Sequence, residues 1–230
     1  MNLIFSSLFY IYIKLSRYIY MPGRKTRKIG GNRFLIWLSL LGLVGGKIIM
    51  TACAGNTCRS PYAEFVLKEE YGFSNTISRA VNSRNPGAPM APLSAAASKE
   101  LCKGDEQCMA RVDAHKSTSF TCDEVKEIIE SSADVLKIIP MDDKVADKIA
   151  EVLEDCDITS KDRSRIELGL GCHDGVCDRK SAAIPDPFFD RGTEREQKSY
   201  EEMTKMVQEK MGKEFGKGHK RKRNKSRRRR

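Results

Sequence analysis

The chain has 230 residues, enough for one medium-sized domain with appendages, and a hydrophobic fraction of 40% that suits a globular core. Its net charge of +10 belongs to the two ends. Residues 1–47 carry eight Lys/Arg and no acid, residues 213–230 carry eleven Lys/Arg and one Glu, and the stretch between has 22 basic against 30 acidic residues, which argues against a nucleic-acid-binding core.

Residues 1–46 form an N-terminal extension with two apolar runs, "LIFSSLFYIYI" (3–13) and "FLIWLSLLGLV" (34–44), separated by the basic "RKTRK". Each run is too short for the roughly 20 residues of a spanning helix. The second run, with its basic prelude, reads as the apolar core of an export signal, but no A-x-A-like cleavage site follows. A poorly ordered extension, a mis-assigned start codon and a membrane-surface anchor remain as readings of this segment.

From Lys47 the pattern changes. "KIIMTA" (47–52) is a short apolar run, as a buried parallel strand requires. "SPYAEFVLKEEYG" (60–72) predicts a helix, with Ser60 as its cap, Pro61 at its first position and Gly72 at its end. A second strand is expected over 75–81, followed by the Pro/Gly-rich loop "NSRNPGAPMAP" and a helix over 93–102. Residues 102–120 read as an irregular connection. Helix 122–132, strand 134–141 and helix 142–156 come next, then a short fourth strand within 164–172 and a last helix over 194–211. Strands separated by helices predict an α/β fold, a four-stranded parallel sheet with helices on both faces. The expected domain spans 47–212, and "KEFGKGHKRKRNKSRRRR" reads as a disordered polybasic tail over 213–230.

Eight cysteines stand at 53, 58, 102, 108, 122, 156, 172 and 177. The number is even, but the chain is too long and too rich in helix-like stretches for a disulfide scaffold. The C-x4-C pairs 53/58 and 172/177 can in principle assemble a zinc site, although the usual knuckle spacing is shorter.

The loop Cys53-Ala54-Gly55-Asn56-Thr57-Cys58-Arg59 lies between the first strand and the first helix. In an open α/β sheet, ligands bind at the carboxyl ends of the strands. Successive N–H groups of such a loop converge on an anion, the helix start adds partial positive charge, and Gly55 tolerates an unusual backbone. Arg59 presents a planar fork that matches two phosphate oxygens. The field that holds a phosphate dianion also stabilises a thiolate, so a cysteine at the base of the cradle is a candidate nucleophile. C-x5-R alone is a weak pattern. Set between a strand and a helix that opens with Ser-Pro, it is much stronger.

"ACAGNTCRSPYAE" (52–64) resembles the loop of the low-molecular-weight protein-tyrosine-phosphatase family, V-C-x-G-N-x-C-R-S-P-x-A-E, with Ala52 in place of the first Val. "SRA" (78–80), "AHKS" (114–117), "DVLKIIPMDDK" (134–144) and "DPFF" (186–189) follow in the family's order. The resemblance implies a phosphomonoesterase that works through a phosphocysteine, with no metal and no cofactor. Cys53 would be the nucleophile, Arg59 the phosphate ligand, and Asp186 the general acid that then activates water. Ser60 would donate to the Cys53 thiolate, Asn56 would hold the loop by bonding to Ser78 and His115, and Cys58 would be a redox companion of Cys53. Phe188 and Phe189 would wall the substrate ring where many members carry tyrosines. The loop after the second strand offers Arg84 and Asn85 but no aromatic opposite wall, so aryl preference is expected to be altered.

The resemblance also implies a phosphotyrosine protein or a small phosphomonoester as substrate, and a cytoplasmic location. The basic tail adds an anionic membrane surface or a nucleic acid as partner, with nuclear or membrane association. An arsenate reductase shares the fold and the loop, but the cysteine relay it needs after the third strand has no counterpart between Asp134 and Asp155. A non-catalytic adaptor working through the tail is the alternative from another class, disfavoured by the intact Cys/Arg/Asp set.

Overall fold

The computed structural model describes residues 47–82, 85–131, 135–173, 176–178, 183–187 and 193–227. The N-terminal extension over 1–46 and the expected substrate wall, Phe188 and Phe189, lie outside the described residues.

Strand β1 (Ile48–Cys53) is buried along almost its whole length. It sits between β2 (Thr76–Ala80) and β3 (Leu136–Pro140), and β4 (Ile166–Leu168) pairs with β3, giving the order β2-β1-β3-β4. All three pairings are parallel, as expected. A central strand covered on both faces has no need of polar alternation, which is why "IIMTAC" reads as a continuous apolar run.

The alternation of side chains along β1 assigns the two faces. Ile49 and Cys53 point into a cluster with helix α1 (Arg59–Phe65), Ile184 and Tyr200, Met203, Val207 and Met211 of the last helix. Met50 and Ala52 point the other way, to Val125 and Ile129 of α4 (Cys122–Ser131) and Val145, Ile149 and Leu153 of α5 (Asp143–Asp155). Helix α1 continues as a wider π turn over Val66–Glu70 and ends at Gly72, whose φ of 72° suits a residue without Cβ.

Several local expectations change. Cys58, not Ser60, precedes the first residue of α1, and Pro61 is its third residue. Ser60 is thereby turned inward, towards the loop. After α2 (Pro92–Leu101), the stretch taken as irregular contains helix α3 (Glu106–Asp113), capped by Asp105, whose carboxylate accepts from the Cys108 N–H at 3.0 Å. The single strand expected within 164–172 is divided. After the short helix α6 (Ser160–Arg163) comes β4, then Gly169 at φ 124°, then β5 (Leu170–His173), which pairs with β6 (Val176–Asp178) in a separate antiparallel hairpin.

Helix α7 runs over Thr193–Arg227, past the expected boundary at 212. Phe215 packs edge-on against Phe73 with centroids 5.1 Å apart, and Glu214 forms an ion pair with the buried Lys137 of β3. The first residues of the expected tail are therefore anchored to the sheet.

Among the described residues four cysteines are paired, although the chain's length and helix-rich stretches argue against a disulfide scaffold. Cys102 is bonded to Cys108 and Cys122 to Cys156. The second pair is 34 positions apart, a proximity created by the packing of α4 and α5 on the same face of the sheet and invisible in linear spacing. Among the described residues no helix is long and apolar enough to cross a membrane.

Candidate active site

The loop from Cys53 to Cys58 leaves the carboxyl end of β1 and turns directly into α1. Two donors aim at the Cys53 sulfur. The Asn56 N–H lies 3.2 Å from Sγ, and the Ser60 hydroxyl donates to it at 3.0 Å. Ser60 Oγ in turn accepts from Asn56 Nδ2 at 3.0 Å, while Asn56 Oδ1 accepts from the Thr118 N–H at 3.2 Å. The result is a directed chain of hydrogen bonds that ends on a sulfur only 3% exposed. Such a chain stabilises negative charge on that sulfur.

Asn56 adopts φ 52°, a left-handed backbone that costs energy for a residue other than glycine. The segment after α3 holds it there. His115 Nε2 meets the Asn56 carbonyl at 2.9 Å, and because a carbonyl only accepts, Nε2 carries the proton. The Ser117 hydroxyl donates to the Gly55 carbonyl at 2.8 Å. With its carbonyls drawn outward, the loop turns N–H groups inward. Those of Gly55, Thr57, Cys58 and Arg59 meet no acceptor among the described residues. Buried N–H groups are normally paired, so a converging set of this kind suits an anion.

The structure brings Cys53, Arg59 and Asp186 to one cavity of 480 Å³, which Gly55, Thr57, Asn82 and Asn85 also line. Arg59 is 3% exposed and lies between two carboxylates. Its Nη1 donates to Asp142 Oδ2 at 2.5 Å and its Nη2 to Asp186 Oδ2 at 2.6 Å, while Nη1 also reaches the Ile184 carbonyl at 3.1 Å. The two carboxylates are about a quarter exposed, so they are open to the same solvent that an incoming phosphate would cross. A second cavity of 640 Å³ adjoins the first, sharing Ala54, Arg59, Asn82 and Asp186, and extends along Lys144 and Lys148 of α5.

Cys58 stays a free thiol. Its sulfur lies 3.1 Å from the Tyr200 hydroxyl of α7, and burial pushes its titration above the ordinary value, against the opposing effect of that hydrogen bond. Burial also raises Tyr200 far above the ordinary tyrosine range.

One expected contact is not made. Ser78 lies on β2, but its buried hydroxyl has no partner among the described residues. The Asn56 side chain is instead satisfied by Ser60 and Thr118. His115 reaches the Asn56 backbone, as expected of a scaffold residue.

Two residues at the site were not singled out from the sequence. Asp142 was quoted within "PMDDK" without a role. It caps α5 through Oδ1, which accepts from the Val145 N–H at 2.8 Å, and it holds Arg59 through Oδ2. An acidic residue at a strand end directly before a helix was the available signal. Tyr200 had none, because nothing in a helix of mixed charge marks which aromatic turns inward.

A family profile described as "Low molecular weight phosphotyrosine protein phosphatase" matches residues 48–225. No curated protein matches the chain. Among solved structures, the chain is similar to Vibrio vulnificus Wzb in complex with benzylphosphonate, with 21% identity, 72% of this chain and 97% of that chain covered, and a TM-score of 0.47. It is also similar to the Erwinia amylovora tyrosine phosphatase AmsI, with 18% identity, 72% and 91% covered, and a TM-score of 0.46. A third is SP-PTP, a low molecular weight protein tyrosine phosphatase from Streptococcus pyogenes, with 21% identity, 73% and 93% covered, and a TM-score of 0.44. The chain belongs to the low molecular weight phosphotyrosine protein phosphatase family.

Proposed function

We propose that the chain hydrolyses phosphotyrosine or small aryl phosphate monoesters through a phosphocysteine at Cys53. The observation that carries this reading is the convergence on one cavity of a doubly hydrogen-bonded thiol, a buried arginine and a solvent-reachable carboxylate.

The two ion pairs of Arg59 set the order of events. A phosphate dianion entering the cradle competes with Asp142 and Asp186 for the Arg59 guanidinium. Asp142 is tied twice, to the start of α5 through Oδ1 and to Arg59 through Oδ2, so it keeps its place as the phosphate arrives. The phosphate takes the place of the Asp186 carboxylate on Arg59 and leaves that carboxyl beside the leaving-group oxygen. The Cys53 thiolate attacks phosphorus in line, forming the S–P bond as the P–O bond to the phenol breaks. Asp186, which takes up a proton from solvent once the phosphate dianion has replaced it on Arg59, delivers that proton to the departing oxygen. It then removes a proton from a water that attacks the phosphocysteine, releasing phosphate and restoring the thiolate. Arg59 and the loop N–H groups carry the charge on the three equatorial oxygens in both steps. The Ser60 hydroxyl, already directed at Sγ, stabilises the sulfur as leaving group in the second step.

The test is para-nitrophenyl phosphate turnover by the wild type and by Cys53→Ser. The expected outcome is turnover by the first, inhibited by vanadate, and a loss on the order of 10⁴-fold or more in the second. Comparable rates in both would remove the mechanism.

A further inference from the structure

Cysteines outside the phosphate loop are used differently from those within it. Cys102, directly after α2, is bonded to Cys108 of α3. The bond closes a tight turn in which Lys103 and Gly104 take left-handed φ values of 51° and 87°, and it lies in a cluster with Phe65, Met90 and Val112. Cys122, the first residue of α4, is bonded to Cys156, directly after α5. That bond ties together the two helices covering one face of the sheet. Neither pair lines either cavity at the loop, so both act on the frame. Cys53 and Cys58 remain thiols, and each is engaged by hydrogen-bonding groups instead of a second sulfur: Asn56 and Ser60 at Cys53, Tyr200 at Cys58.

Reducing compartments keep thiols free, and structural disulfides are rare in them. We propose that this phosphatase works in an oxidising compartment, secretory or extracellular, where Cys102–Cys108 and Cys122–Cys156 staple the domain while Cys53 and Cys58 are kept as thiols. The inference departs from the cytoplasmic location that the resemblance implies. The sequence ahead of the domain, basic "RKTRK" followed by apolar "FLIWLSLLGLV", has the charge-then-apolar order of an export segment.

Each staple forms by thiol–disulfide exchange with an oxidant in the disulfide form, a glutathione or protein disulfide. One thiolate of the pair attacks the oxidant and breaks its S–S bond. The second thiolate then displaces the mixed disulfide. Two electrons and two protons leave the pair, and the oxidant departs as two thiols.

The inference rests on the phosphatase reading only for its activity readout. The full chain, reduced and then equilibrated in glutathione buffer at the secretory-pathway poise, is mapped by thiol alkylation and peptide mass spectrometry. Its melting temperature and para-nitrophenyl phosphate turnover are measured alongside. Cysteines 102, 108, 122 and 156 should resist alkylation and Cys53 and Cys58 should accept it after unfolding. Tm should rise on the order of 10 °C over the reduced protein, with turnover unchanged. The double variant Cys122→Ser/Cys156→Ser should lose most of that rise and keep its turnover. Alkylation of all four frame cysteines, an unchanged Tm, or cross-linking of Cys53 at that poise would overturn the proposal. A reduced protein that never turned over would count against the phosphatase reading alone, because the alkylation map and the melting shift decide the staples without it.

Discussion

In the loop between β1 and α1 two cysteines, Cys53 and Cys58, stay apart as thiols; at the turn between α2 and α3 two cysteines with nearly the same separation in sequence are bonded. The difference lies in what surrounds each sulfur. In the loop, β1 ends at Cys53 and α1 begins at Arg59, so the cysteines belong to the ends of two rigid elements, with Asn56 in a left-handed conformation between them. Hydrogen-bonding groups hold each one, donors within the loop at Cys53 and the Tyr200 hydroxyl of α7 at Cys58. At the turn, Lys103 and Gly104 reverse the chain and bring α3 back under α2, and no polar network competes for the sulfurs comparable to that around Cys53. Spacing of cysteines therefore says little about their chemistry. The groups available to bond a thiolate decide it.

Substitutions should separate the two regions, with loop changes falling on turnover and frame changes on stability. Arg59→Lys is the sharpest of these. Lysine keeps the charge but cannot span Asp142, Asp186 and a phosphate with a planar fork. A fall in kcat/KM on the order of 10²–10³-fold is expected from steady-state kinetics. A Lys variant with near-normal kinetics would show that the guanidinium geometry is not needed.

Cys122→Ser/Cys156→Ser should leave kinetics alone and cost at most about 4 kcal/mol of stability in denaturant unfolding under oxidising conditions, from the chain entropy of a loop of that length. An unchanged midpoint, or lost turnover with unchanged stability, would dissolve the distinction between frame and loop.

The smallest expected effect is on pH. Burial holds Cys58 above its ordinary value of 9.0, and Tyr62 and Tyr200 above theirs of 10.0. In that range the native state retains protons that the unfolded chain releases. Stability from these groups is therefore complete below pH 9 and declines as pH rises beyond it. Unfolding midpoints measured upward from neutrality should fall in that window, and Tyr200→Phe should shallow the fall.

The strands and the loop were legible because each carries a local physical signature. An apolar run as short as 47–52, bounded by a Gly-containing loop, fits a doubly covered strand, and a strand-to-helix turn with Gly55, Arg59 and Ser60 fits an anion cradle. Helix α3 was missed because its buried face is just Cys108 and Val112, too few apolar positions for a period to show. The continuation of α7 was missed because a run of like charges masks Glu214 and Phe215, whose partners Lys137 and Phe73 lie far away in sequence. Ser78 was assigned a bond by analogy, whereas the Asn56 amide already has nearer partners in Ser60 and Thr118. Asp142 shows the general limit. A sequence marks a cap, but only the packed structure shows that the cap's second oxygen holds Arg59.

The phosphocysteine is the centre of the account, and Asp186→Ala exposes it most directly. Nitrophenolate is a good leaving group that needs little help from an acid, so the variant should still form the S–P bond with para-nitrophenyl phosphate. Without a base, the second step should slow on the order of 10²–10⁴-fold. Rapid mixing should then show a burst approaching one nitrophenolate per site, and acid-quenched peptide mapping should find phosphate on Cys53. Turnover with no burst and no phosphate on Cys53, or phosphate found on another residue, would contradict the assignment of Cys53 as nucleophile and Asp186 as its proton donor and acceptor.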